Sequence, residues 1–174
     1  MQGKVRLIVP AIFLLLVILA CGSSGPETAK AVLVNNQGQQ VGEATLSQTP
    51  VGVEIVLTVQ GLPPGWHAVH VHEKGDCHPH DFMSAGGHFN PYGKHHGFKN
   101  PQGPHAGDLP DIFVGADGKG GMKTVAPLLT LGPGKNSLFQ PGGTSLMIHA
   151  QPDDDMTDPA GNAGARIACG PITP

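Results

Sequence analysis

Three observations predict an all-β fold for this chain, built as an eight-stranded antiparallel Greek-key barrel or sandwich with two long loops. Apolar residues alternate with polar ones at a period of two along several short segments, as strands require. No segment carries a sustained helical period. Twenty-six glycines and seventeen prolines break the chain into short pieces joined by turns, whereas aromatic residues make up only 5%.

The strands follow in order from Ala29. AVLVN and VGEATLS flank the turn-like NQGQ and read as a hairpin. VGVEIVLTV alternates, with Val51, Val53, Ile55, Leu57 and Val59 on one face and Gly52, Glu54, Val56 and Thr58 on the other. GLPPG is a turn, and WHAVHVHE follows as one strand. DIFVGA and MKTVAPLL are joined by DGKGG, a strong hairpin signal. SLMIHA and ARIACGPI complete the set of eight. Two irregular stretches interrupt it, at 74–108 and 150–165. Loops of that length inside a compact domain generally do something.

Ahead of the domain, Lys4 and Arg6 precede an apolar run from Leu7 to Ala20, the pattern of a secretory leader over residues 1–20. The run ends at ILAC, and Cys21 is followed by GSSGP. This looks like the lipobox of a bacterial lipoprotein, in which the cysteine becomes the lipidated first residue; ordinary cleavage nearby is the alternative. Residues 21–28 then serve as a lipidated linker to a domain over 29–174. The expected location is outside the cytoplasm, membrane-anchored through Cys21. Thirteen acidic residues face ten basic ones without a basic patch, which excludes nucleic acid as a partner. Three cysteines are an odd number. With Cys21 lipidated, Cys77 and Cys169 remain and should pair in an oxidising compartment. Their bridge would close about 92 residues and contribute at most about 4–5 kcal/mol on the chain-entropy account.

The histidines carry the chemistry. On a strand, His70 and His72 of HVHE share a face. His149 of SLMIHA adds a third ring from another strand. The stretch HFNPYGKHHGFKNPQGPHAGD offers His88, His95, His96, His105 and Asp108. Imidazole suits copper and zinc, and a carboxylate among imidazoles suits zinc. Seven histidines and an aspartate exceed one first-row site, so two adjacent metals are the economical reading.

Four stretches in order, GWHAVHVHEKGDC, SAGGHFNP with the downstream HHG and HAGDL, SLMIHA with its following aspartates, and GNAGARIACG, resemble the copper–zinc superoxide dismutases, and in particular their bacterial branch. The resemblance spans residues 29–173. It implies an immunoglobulin-like Greek-key fold, copper on His70, His72, His88 and His149, and zinc on His88, His96, His105 and Asp108, with His88 bridging the two ions. The family spacing falls on His96 rather than on its neighbour His95, which is expected to be solvated. His78 and His80, in the insertion CHPHDF, have no metal-binding counterpart and are expected at the surface. Asp153 matches the aspartate linking histidines of the two metals, with Asp154 and Asp155 as solvated charges. His67 matches a buried structural histidine, and Arg166, the only arginine beyond the leader, matches the arginine beside the copper channel.

The implied activity is conversion of superoxide to dioxygen and peroxide by Cu(II)/Cu(I) cycling, with His88 moving a proton and Arg166 holding the anion. A homodimer is compatible with the family. Against these expectations stand a metal-binding protein of the same fold without turnover and a histidine-rich scavenger extended by His78 and His80. One departure bears on rate: family members often carry lysines in the loop before the arginine, yet 150–165 here has no Lys or Arg and four aspartates. Weak electrostatic steering is expected.

Overall fold

The computed structural model describes residues 25–174, so the leader and Cys21 lie outside the described residues. The described chain is all-β apart from one 3-10 turn at Met83–Ala85. Nine antiparallel strands form one sheet: β1 (Thr28–Asn35), β2 (Gln40–Thr49), β3 (Gly52–Val59), β4 (Gly65–His67), β5 (Val69–His72), β6 (Ile112–Val114), β7 (Gly120–Ala126), β8 (Ser145–His149) and β9 (Arg166–Thr173). Their order across the sheet is β4-β6-β7-β3-β2-β1-β9-β8-β5.

The expected count of eight becomes nine because WHAVHVHE is two strands, broken at Ala68. β4 pairs with β6 and β5 with β8, at opposite ends of the sheet. Since β4 and β5 are consecutive in the chain, the two ends must meet, and the sheet rolls into a nearly closed barrel. Ala68 marks the junction: its N–H donates to Gln151 O at 2.9 Å, and its carbonyl accepts the His149 N–H at 2.9 Å.

The period-two pattern explains the core. Val53, Ile55, Leu57 and Val59 of β3 are all buried with Leu33, Ala44, Leu46, Ile112, Val114, Leu146 and Ile148 inside the barrel. Burying one such aliphatic side chain contributes about 1.5–3 kcal/mol. Val51, expected on the same face, lies instead in the turn ahead of β3 and is 68% exposed. The hairpin of β1 and β2 forms over the predicted residues, in register from Thr28 opposite Ser47. A smaller cluster of Phe82, Ala85, Met147 and Cys169 is separate from this core, with Val34 and Cys77 packed against it. The Cys77–Cys169 disulfide runs through this cluster and ties the first long loop to β9.

Candidate metal centre

β5 is an end strand of the sheet, and the first long loop covers its free edge. Phe89 N–H donates to Val71 O at 2.8 Å, and Val71 N–H to Gly107 O at 2.8 Å. Gly107 is required for this approach, because a Cβ there would lie 2.4 Å from Val71 O. The docking sets His88 opposite His72 and Asp108 opposite His70 as bridge partners. Two residues 20 apart in the chain thus flank the HVH strand, which explains why a histidine loop and a histidine strand form one site.

On the strand side, His70 and His72 project from β5 and His149 from β8, and His88 completes the group from the loop. All four are buried. The ring centroids of His70 and His88 are 3.9 Å apart, those of His70 and His149 4.9 Å, and those of His72 and His88 5.1 Å. Three of the rings hand one nitrogen to a protein acceptor: His70 Nε2 lies 2.6 Å from Asp153 Oδ2, His72 Nδ1 3.0 Å from Gly86 O and His149 Nδ1 3.3 Å from Gly164 O. This is the arrangement that orients a metal-binding imidazole. The opposite nitrogens, His70 Nδ1, His72 Nε2, His88 Nε2 and His149 Nε2, are buried and have no hydrogen-bond partner. Orphaned buried polar atoms destabilise a fold by about 1–3 kcal/mol each. Four that converge call for an occupant, and ligand atoms of these residues lie within 4.8 Å of one another.

Burial lowers the pKa of His72 to about 2, helped by neighbouring His88 and Arg166. Burial likewise lowers His149 to about 3, with His70 adding to it. His88 falls to about 4 through burial, partly offset by its hydrogen bond to Asp108. These rings are therefore neutral at physiological pH, the state in which an imidazole lone pair binds a metal. The donor set fits copper, which favours imidazole.

On the loop side the organising atom is Asp108 Oδ1. His88 Nδ1 and His96 Nδ1 are each 3.1 Å from it, and His105 Nδ1 is 3.3 Å away. His105 Nδ1 and His88 Nδ1 are 3.4 Å apart. His70 is also close enough to count geometrically with His88, His96 and Asp108. Its Nε2 is taken by Asp153, however, and its free Nδ1 belongs to the strand-side group, so His105 is the better fourth member. Asp108 Oδ2 accepts the Gly97 and His105 N–H groups at 2.9 and 3.0 Å. Burial raises the Asp108 pKa, but bonds from His105, His88 and His96 outweigh it and hold the carboxyl well below the usual range. Burial opposes charge on His96 too, yet bonds to Asp108 and Asp153 raise its pKa to about 10. Three imidazoles and a carboxylate fit zinc in a closed four-ligand site. His88 sits in both groups, one nitrogen to each.

Asp153 links the halves. Its Oδ2 meets His70 Nε2, and its Oδ1 lies 2.9 Å from His96 Nε2. His67 is buried beneath the strand side, with ring nitrogens 2.8 Å from His149 O and from Pro63 O, and it touches neither group's free nitrogens. Arg166 starts β9 and reaches back over the loop, donating from Nη1 to Phe82 O and from Nη2 to Gly86 O, each at 2.7 Å. Gly86 O thus serves both His72 and the guanidinium. Burial lowers the Arg166 pKa from its ordinary value.

The remaining predicted bystanders divide. His78 and His80 are exposed, with His78 Nε2 3.4 Å from Asp76. His95 is exposed, as expected, and sets its Nδ1 on the Asp158 carboxylate. Asp154 and Asp155, expected as solvated charges, are half-buried and also hold partners. Asp154 accepts the N–H groups of Met156 and Thr157 and the Asn162 amide, and Asp155 pairs with Lys99 at 2.9 Å. Asp111, which the sequence reading passed over, accepts the Asp153 N–H at 3.2 Å through both oxygens. A carboxylate two residues after Leu109 carries no local signal of a partner 42 residues away.

Residues 40–172 match the copper/zinc superoxide dismutase family. The Cu-Zn superoxide dismutase 2 of Aquifex aeolicus is 51% identical over 159 residues, covering 90% of this chain and 93% of that protein. The Cu-Zn superoxide dismutase of Caulobacter vibrioides is 45% identical over 148 residues, covering 83% and 85%. Among solved structures, a SOD-like protein from Bacillus subtilis superposes with a TM-score of 0.79 at 44% identity, covering 82% of this chain and 96% of that one. The Cu/Zn superoxide dismutase from Brucella abortus gives a TM-score of 0.67 at 32% identity, covering 83% and 99%. With its barrel, its paired histidine groups and this likeness along most of its length, the chain belongs to the copper/zinc superoxide dismutase family.

Proposed function

We propose that this chain is a superoxide dismutase working outside the cytoplasm, with copper held by His70, His72, His88 and His149 and zinc by His88, His96, His105 and Asp108. The observation that carries the reading is the set of four buried, partnerless imidazole nitrogens, one of which belongs to a ring whose other nitrogen joins the loop-side group. Bound there, copper would supply one-electron redox chemistry and zinc a fixed positive charge. The reaction turns two superoxide anions and two protons into one dioxygen and one hydrogen peroxide.

The chain's own residues supply the rest. Arg166 uses two N–H groups to grip the loop carbonyls, which holds the guanidinium rigidly while its remaining N–H groups are available to a small anion. His88 is anchored at Nδ1 by Asp108 and is the ring suited to carry a proton at Nε2 and release it to a departing product. Asp153 fixes His70 and His96 together, so that a shift in one group is felt in the other. All seven residues of the two groups are buried, His88 being the most exposed at 8%.

The disulfide supports an oxidising compartment, and the basic, apolar leader supports export. Cys21 as a lipidated first residue would tether the domain to the membrane, with residues 21–28 as the linker; mass spectrometry of the N-terminal peptide from membrane fractions tests this. For the activity, superoxide consumption is measured on the copper- and zinc-loaded protein, with His149→Ala as control. Rapid consumption lost in the variant is expected. Metal binding without consumption by the unaltered protein would make it a metal-binding protein of the same fold.

A further inference from the structure

His96 is the ring of the zinc group that the second long loop holds most closely. Within its own loop, Nδ1 faces Asp108; from across the site, Asp153 lies 2.9 Å from Nε2. A further carboxylate of the 150–165 loop closes on the backbone. Asp158 Oδ1 accepts the His96 N–H at 2.5 Å, and Asp158 Oδ2 takes the Nδ1–H of His95. Neither Asp158 nor His95 belongs to either histidine group.

The two loops interlock around this clamp. Lys99 N–H donates to Asp155 O at 2.9 Å, Lys99 Nζ meets the Asp155 carboxylate at 2.9 Å, and the Asn100 amide donates to Met156 O at 3.3 Å. Two glycines permit the approach. A Cβ on Gly97 would lie 2.0 Å from Asp155 O, and one on Gly161 would lie 1.9 Å from Asp153 Oδ1 and 2.6 Å from His96 Nε2. The 150–165 loop therefore reaches His96 at three points, through ring, peptide N–H and the neighbouring side chain.

We propose that Asp158, seconded by His95, is a positioning residue for the zinc site: by holding the His96 peptide and the adjacent ring, it fixes where the His96 imidazole points. The inference rests on the reading of His96 as a zinc ligand. Its physical basis is that a ligand ring is only as well placed as the backbone that carries it, and outer partners of ligands tune metal affinity for that reason. The Asp158 side chain is 40% exposed. An exposed ion pair contributes little to global stability, so its loss should be felt locally at the metal.

The test replaces zinc with cobalt(II) in the full chain, reading its visible d–d absorption and its rate of loss to a chelator beside the thermal midpoint. Asp158→Ala should alter the cobalt bands and speed metal loss roughly tenfold. His95→Ala, which removes only the ring half of the clamp, should have a smaller effect in the same direction with cobalt still bound. Asp158→Asn keeps an acceptor for the His96 N–H and should restore most of the spectrum. Unchanged bands and loss rate in Asp158→Ala overturn the proposal, even if the thermal midpoint falls, since that pattern belongs to a merely structural contact. If Asp158→Ala does not fold, His95→Ala decides by the same two readouts. The arm His96→Ala separates the two layers. If it leaves cobalt binding intact, the ligand reading fails; if it releases cobalt while Asp158→Ala does not, only the positioning role fails.

Discussion

The strand side and the loop side of the metal centre solve opposite problems. His70, His72 and His149 ride on β5 and β8, in a barrel whose packing fixes them, and their free nitrogens have no hydrogen-bond partner. The loop side has little regular structure, and it satisfies itself: three imidazoles and two backbone N–H groups converge on one carboxylate. One half is preorganised by the fold and left chemically hungry; the other organises itself through Asp108 and must surrender those bonds to take a metal. The difference teaches that the two sites, though sharing His88, should respond in opposite ways to mutation and to pH.

The largest effect expected is on turnover. His149→Ala should lower superoxide consumption by more than the roughly 10–100-fold that removing an outer partner costs, while zinc content, measured on the purified protein, stays near one per chain. Loss of zinc together with copper would erase the distinction between the halves.

The next effect is on the metal-free protein. Asp108→Ala strips the acceptor from a buried cluster and should cost about 3–5 kcal/mol in urea unfolding. His149→Leu removes an unsatisfied nitrogen and should be neutral or stabilising. Equal losses in both variants would contradict the contrast.

A smaller effect lies in proton release. His96, with its pKa raised to about 10, holds a proton at pH 7 that zinc must displace, whereas His72 and His149, lowered to about 2 and 3, have none to give up. Because the folded-state value is raised, the His96 contribution to metal-free stability is full below about pH 6.5 and lost as pH rises through about 10. Zinc affinity should accordingly strengthen toward alkaline pH. Calorimetric titration in two buffers of different ionisation enthalpy measures the released protons, and zinc uptake independent of the buffer would refute the assignment.

The smallest effect concerns steering. With four aspartates and no Lys or Arg over 150–165, the rate should fall only gently with ionic strength. A steep decline would show that attraction comes from lysines elsewhere in the fold.

Much of this was legible in the sequence, for reasons that differ between the halves. The alternation in VGVEIVLTV exposed β3, and the i, i+2 spacing of His70 and His72 exposed a shared face, because strand geometry is periodic. The break at Ala68 was hidden, since WHAVHVHE keeps strand-like residues across it and only long-range pairing separates β4 from β5. The loop ligands needed a family likeness, because nothing periodic relates His88 to Asp108. The roles of Asp111 and Asp158, and the bond that His95 makes, left no local signal. Each acts on a partner far along the chain, and local composition made all three resemble solvated charge.

The junction at Ala68 has a consequence for when the site comes into being. His70 and His72 lie just after it and His149 is hydrogen-bonded to it, so three rings of the strand-side group sit at the line where the barrel closes on itself. Contacts between β5 and β8 join segments far apart in sequence, whose loop-closure entropy delays them in folding. An unfolded chain has no such cluster to offer. The strand-side group of rings is thereby complete only once the barrel is finished.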